Sequence, residues 1–206
     1  MPMQWPPTFE SKRLCPSPLY ARRMWPWGHL AVAYLLYTAV THRRFDSPPR
    51  AIPTIALAIG SQTPDLIDKP LAWNFGLLPG GRTLSHSLLV VAVLVPLVRA
   101  IAGRLERRAV GMAFLAGYCS HLCSDVPPGV LSGEFAGASY LLWPILEQPP
   151  EDPVAGILDA ILHYYAMGTY EWVQIGLFAV AVVLWYRDGA PGLGLARAVL
   201  ERRPSV

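Results

Sequence analysis

Charge is scarce in this chain. Asp, Glu, Lys and Arg make up 15% of its 206 residues, against about 25% in an ordinary soluble domain. Hydrophobic residues fill 53%, and that imbalance points to a membrane protein. Cysteine is scarce too: Cys15, Cys119 and Cys123 are the whole supply. They form no CxxC pair, which removes a disulfide framework and a zinc ribbon from consideration. There is no G-x-G-x-x-G and no P-loop, so no phosphate cradle of either kind is expected. Neither an internal repeat nor a heptad pattern occurs. The first 18 residues are proline-rich and lack an apolar core, so no cleavable signal peptide is expected. The net charge is +3, and its basic residues sit in short clusters between apolar runs. That arrangement reads as a topology signal and not as a nucleic-acid patch.

What the chain does have is a series of apolar runs rich in Ala and Leu, too long for strands. The expected fold is an all-α integral membrane bundle of about five transmembrane or membrane-embedded helices. Residues 1–24 read as an irregular basic tail, residues 25–186 as one membrane-embedded helical domain, and residues 187–206 as a basic C-terminal tail. The first run opens at Gly28-His29, behind Trp25 and Trp27 as interfacial anchors. The second covers about 51–62 and ends in Thr63-Pro64-Asp65-Leu66-Ile67-Asp68. The third follows Arg82-Thr83-Leu84-Ser85-His86-Ser87, and the fourth spans Val110 to Asp125. An acidic, proline-rich stretch, 126–153, precedes a short helix over 154–167 that holds His163. The last run is Trp172 to Tyr186. A bilayer core needs about 20 apolar residues. Runs three and five meet that most easily; the others reach it only by including polar flanks.

Those polar flanks carry the chemistry. His121 and Asp125 are four residues apart, which on a helix places both on one face. Cys119 and Cys123 lie about 200° round the same helix and are not expected as ligands. In an up-and-down bundle, the starts of odd helices and the ends of even ones share one end. His29, Asp65, Asp68, His86, His121 and Asp125 therefore gather at a single end, while the Arg43, Arg44, Arg104, Arg107 and Arg108 loops lie at the other. Each residue alone has a plainer explanation. Thr63-Pro64-Asp65 has the form of a helix start, Ser85 that of a cap, and His121–Asp125 that of a buried hydrogen bond. Together, ionisable groups at membrane helices point to function.

In order along the chain, Gly28-His29-Leu30, Pro64-Asp65 with Asp68, Arg82 through Ser85-His86-Ser87-Leu88-Leu89, Gly117-Tyr118 with Ser120-His121 and Asp125, and Leu141-Leu142-Trp143-Pro144 resemble the YdjM-type family. Members of that family are inner-membrane proteins described as candidate metal-dependent hydrolases. The resemblance covers about residues 28–145 and implies a site in the cell (inner, or plasma) membrane. The family usually has its two acidic residues as Asp-x-Asp, where this chain spaces Asp65 and Asp68 three apart. It often has a His before the Arg, where this chain has Gly81. The ligand order is also faintly similar to the helical zinc-dependent phospholipase C and nuclease group, which would imply phosphoester hydrolysis.

The expected metal ligands are His29, Asp65, His86, His121 and Asp125. This mixed nitrogen and oxygen set, without thiolate, suits a divalent metal, zinc first, with manganese or iron also suited. More than four ligands suggests two ions in place of one. Asp68 is expected as a further ligand or as the group that orients the attacking water, and Arg82 as the clamp on a phosphate. The function this implies is a membrane-embedded metal-dependent hydrolase with a membrane lipid or small-molecule substrate, and no nucleic-acid partner. Two other readings stand beside it. One is a non-catalytic membrane binding or scaffold protein held together by its polar cluster. The other is a metal or proton transporter, which would want its charges nearer mid-bilayer.

Overall fold

The computed structural model describes residues 24–133, 135–148, 156–164 and 168–201, and every regular element among them is helical. The expected N-terminal tail through residue 23 lies outside the described residues, as do Glu134, Glu151 and Asp152 of the acidic stretch. The helices are α1 (Pro26–Phe45), α2 (Ala51–Lys69), α3 (Leu88–Arg104), α4 (Arg108–Asp125), α5 (Ile157–Tyr164), α6 (Thr169–Arg187) and α7 (Leu193–Glu201). A π-turn, Pro70–Asn74, extends α2, and two 3-10 segments, Pro128–Ser132 and Phe135–Leu142, follow α4. The last helix, α7, forms within what the sequence reads as a basic tail.

Local chemistry sets the ends. Pro26 takes the first position of α1, where its missing N–H costs nothing. Asp46 stops that helix in the left-handed region, with φ 47° and its N–H on the His42 carbonyl. Ser87 caps α3 by accepting the Leu89 N–H at 3.2 Å. The turn 105–107 has Glu106 at φ 55° and is too short for anything but an antiparallel neighbour. Two of the plainer readings fail here. Thr63-Pro64 starts no helix: Pro64 lies inside α2, and the Thr63 hydroxyl bonds back to the Ile59 carbonyl at 2.8 Å. Ser85 is not the cap of α3, because Ser87 is.

At the centre α2 packs on α4; α1 lies against both, α6 packs on α1, and α3 flanks α4. Two glycines set the central contact. A Cβ on Gly60 would lie 2.1 Å from the Phe114 carbonyl oxygen, and one on Gly117 would lie 2.1 Å from that of Leu57. Only glycine lets these two backbones come so close. The interior is rich in small and polar groups, including Ala31, Ala33, Ala56, Ala113, Ser61 and Thr38, beside a few large ones such as Leu57 and Tyr118, while Leu36, Val40, Ile59, Val93, Leu97 and Val183 face outward. A water-soluble domain sorts its residues the other way. Helix α3 is apolar almost throughout yet buries only Ala102.

Five independent crossings are more than the helices establish. Among the described residues only α6 is long and apolar enough to cross a bilayer by itself. Helix α3 has 17 residues, at the short limit of about 17–25 for a span. The reason in α1, α2 and α4 is that His29, Asp65, Asp68, His121 and Asp125 occupy residues a generic span would fill with hydrocarbon.

Candidate metal centre

Topology does bring the polar residues to one end. His29 comes from the first turn of α1, Asp65 and Asp68 from the last turns of α2, His86 from the loop before α3, and His121 and Asp125 from the end of α4. All six are buried, with His86, His121 and Asp68 at 0% exposure.

The protonation of two rings follows from their neighbours. His121 Nδ1 lies 2.6 Å from the Ser61 carbonyl oxygen, which has no proton to give, so Nδ1 donates. His86 Nδ1 lies 2.8 Å from Asp68 Oδ2 and donates to that carboxylate. Each neutral ring then presents its Nε2 lone pair, and the two Nε2 atoms face each other at 3.1 Å. Asp125 Oδ2 lies 3.3 Å from the first and 3.6 Å from the second. Asp65 Oδ1 lies 3.7 Å from each. Four acceptors thus converge with no donor among them, an arrangement that requires positive charge. Donors about 2.0–2.2 Å from a tetrahedral metal sit about 3.3–3.6 Å apart, which is close to the spacing found. Asp65, His86, His121 and Asp125 form a group able to hold a metal ion.

His29 stands at the edge of this group. Its ring stacks on His121 with centroids 3.7 Å apart, and its Nε2 lies 3.4 Å from Asp125 Oδ1. Neither ring nitrogen has a hydrogen-bond partner, and nor has Asp65 Oδ1, although all three atoms are buried. Buried polar atoms without partners are rare and call for an occupant. Asp125 offers Oδ2 to the four-atom group and Oδ1 to His29.

Asp68 sits one layer out. Its carboxylate accepts the Thr83 N–H at 2.9 Å, the Ser85 N–H at 2.9 Å and His86 Nδ1. Arg82 reaches the Asp125 carbonyl at 3.4 Å and lies 5.3 Å above the Tyr140 ring. Burial pushes the His86 imidazole down, but the Asp125 and Asp68 carboxylates more than reverse this and hold it above its ordinary range, so a proton on His86 Nε2 supplies the positive charge where no ion does. The site's preference for positive charge is plain in that balance. Cys119 and Cys123 are exposed on α4 and stay clear of the site. His163 falls on α5.

Three contributors escape a reading of the sequence. Lys69 pairs with Asp65 Oδ2, and its i, i+4 spacing was a usable signal. The Ser61 carbonyl carries no side-chain signature. Tyr140, buried, meets the His86 ring edge-on at 6.1 Å and donates to the Asp125 carbonyl at 3.0 Å. With the Ser87 hydroxyl donating to the Trp143 carbonyl at 2.6 Å, the residues from Tyr140 to Trp143 lie against the site as a cover.

Comparison with known proteins agrees with this architecture. No curated protein and no solved structure matches the chain. The model of one family, described as YdjM inner membrane protein, matches residues 24–190. The chain belongs to the YdjM inner membrane protein family.

Proposed function

We propose that the protein is a membrane-embedded, metal-dependent hydrolase that acts on phosphoesters at the membrane surface. The observation that carries this reading is the meeting of Asp65 Oδ1, His86 Nε2, His121 Nε2 and Asp125 Oδ2 with no donor among them. The mixed nitrogen and oxygen donors suit zinc, with manganese or iron as alternatives. Such an ion supplies Lewis acidity and lowers the pKa of a bound water.

The chain's own groups do the rest. Asp68 and the Ser61 carbonyl fix the two imidazoles in the ligating tautomer, as outer partners of ligating histidines do. Asp68 therefore acts as a positioning residue, since its oxygens are already engaged by His86 and two backbone N–H groups. His29, beside Asp125 Oδ1 and with no hydrogen-bond partner of its own, is suited to a second ion or to a proton on the leaving group. The Arg82 guanidinium lies close enough to offset negative charge on a phosphoryl group. Tyr140 and the 3-10 segments limit water at the site. The position of the cluster at one end of the bundle favours surface chemistry over transport, which needs a path through the middle.

The test is turnover. Detergent-purified protein, loaded with zinc or manganese, is assayed against a panel of phosphomonoesters and phosphodiesters. The reading expects hydrolysis that chelator abolishes, that metal restores and that His121→Ala lacks. Metal-loaded, folded protein that hydrolyses no member while carrying metal ions across vesicle membranes would replace it with transport.

A further inference from the structure

Beside the metal centre, at the same end of the bundle, lies a cavity of about 350 Å3. Trp25, Trp27, Leu66 and Trp73 line it, together with Asp65 and Lys69. The geometry points to a binding site for an anionic amphiphile, with the phosphoester head at Lys69 and the hydrocarbon chain among the tryptophans.

Asp65 is the reason to join cavity and cluster. Its Oδ1 faces His86 and His121 at 3.7 Å, while its Oδ2 is paired with Lys69. One carboxylate therefore divides the two compartments. A molecule held in the cavity presents its polar end to the edge of the metal centre. The Lys69 ammonium lies 5.8 Å from the Trp73 ring centroid, so cationic charge and apolar lining meet there.

The walls choose the rest of the ligand. A sugar or a nucleoside needs convergent hydrogen-bond partners on its walls. Here the walls are indole faces, proline and leucine, with Trp25 and Trp27 rings 4.0 Å apart. The side-chain amide of Gln62, which also lines the cavity, already donates to the Pro26 carbonyl at 3.1 Å. Hydrocarbon fits such a lining, and an anionic head fits Lys69. The cavity also opens where tryptophans mark the level of lipid head groups. This inference deepens the hydrolase reading and rests on it for the fate of the head group, though not for binding itself.

Photo-crosslinking tests it. The full chain in detergent is mixed with dodecyl phosphate carrying a diazirine near the end of its chain, irradiated, and mapped by mass spectrometry. Label is expected in the segments holding Trp25, Trp27, Leu66 and Trp73. Excess unlabelled dodecyl phosphate should remove it, and an equal concentration of inorganic phosphate should not. Leu66→Gln, at a residue 69% exposed and outside the packed core, should lower labelling several-fold, as should Trp73→Ala. Gly176→Ala, in α6 where an added Cβ meets nothing within 4 Å, should leave it unchanged. Label spread over α3 and α6 without competition overturns the inference, and so does full competition by inorganic phosphate. Cavity labelling with no phosphoester hydrolysed keeps the binding site and removes the hydrolase. Hydrolysis indifferent to chain length, with no label in the cavity, does the reverse.

Discussion

His86 and His121 meet through their Nε2 atoms at 3.1 Å, and the far nitrogen of each ring is held by an acceptor. For His86 that acceptor is Asp68; for His121 it is the Ser61 carbonyl. Two lone pairs so close repel unless positive charge lies between them. The outer partners, and not the rings themselves, make the pair a site for a cation.

Asp68→Asn tests that dependence directly. The amide keeps the volume but loses the charge, and it cannot accept from His86, Thr83 and Ser85 as the carboxylate does. Loss of such an outer partner typically costs about 10–100-fold in metal affinity. Competition against a chromophoric chelator should show a loss of that size. Unchanged affinity would remove Asp68 from the account.

The central helix contact makes a sharper stability prediction. Gly117→Ala forces a Cβ to within 2.1 Å of the Leu57 carbonyl oxygen. Since a backbone atom cannot swing aside, the loss should exceed the ~1–3 kcal/mol usual for overpacking. Gly176→Ala in α6 meets nothing within 4 Å and should be neutral or stabilising, by up to ~1 kcal/mol from helix propensity. Thermal unfolding in detergent separates them. Equal melting temperatures would contradict the close approach of α2 and α4.

At the other end of the bundle, Asp188 Oδ2 accepts from Tyr34 at 2.7 Å and Thr38 at 2.6 Å, and Oδ1 lies 2.8 Å from His42 Nε2. These three residues, four apart on α1, fasten the end of α6. Burial pushes the Asp188 carboxyl up, but the hydrogen bonds from Thr38, Tyr34 and His42 more than reverse this and hold it below the ordinary carboxylate range. A depressed carboxylate contributes stability above its unfolded-state pKa and loses it as pH falls through the folded value. Stability should therefore drop on the acid side of the ordinary carboxylate range. Asp188→Asn should lower stability at neutral pH and flatten that acid limb. An unaltered acid limb would count against the clamp.

How much of this the sequence discloses depends on the kind of constraint. Convergence of His29, Asp65, His86, His121 and Asp125 was legible because an up-and-down helix order leaves no other arrangement. The His121–Asp125 pair was legible from helical phase. Asp65 and Asp68 were legible at the end of the second helix although Pro64 alone has the form of a helix start, because packing of α2 on α4 carries the helix through it. Asp68 was legible as a participant but not in its role, which depends on the fold of the Thr83–Ser85 backbone. Tyr140 left no trace, since irregular 3-10 backbone has no periodicity to read. His42 was set aside for lying at the basic end, and its partner Asp188 is too far along the chain for spacing to reveal.

The distribution of basic residues sets an expectation for orientation. Arg43, Arg44, Arg50, Arg104, Arg107, Arg108, Arg187 and Arg197 lie at the end opposite the metal centre if α1, α2, α3, α4 and α6 each cross. At eight residues, α5 is too short to add a crossing. On the positive-inside rule that end is then expected to be cytoplasmic, with Lys69 and Arg82 at the site end; the basic residues Lys12, Arg13, Arg22 and Arg23, ahead of α1 in the sequence, weigh the other way. Single cysteines at Arg44 and at Leu131, in a chain lacking Cys15, Cys119 and Cys123, are exposed to an impermeant thiol reagent on intact cells. Reaction at 131 and not at 44 is expected; the opposite pattern reverses the orientation.

The central claim is that Asp65, His86, His121 and Asp125 hold a metal ion, and elemental analysis of the purified protein tests it most directly. Monodisperse protein, loaded with zinc, manganese or iron and freed of excess, should retain at least one ion per chain. His121→Ala and Asp125→Asn should lose that ion, while Cys119→Ala and Cys123→Ala should keep it. Folded wild-type protein that retains no divalent metal under any loading condition, or that retains it equally in all four variants, would contradict the account.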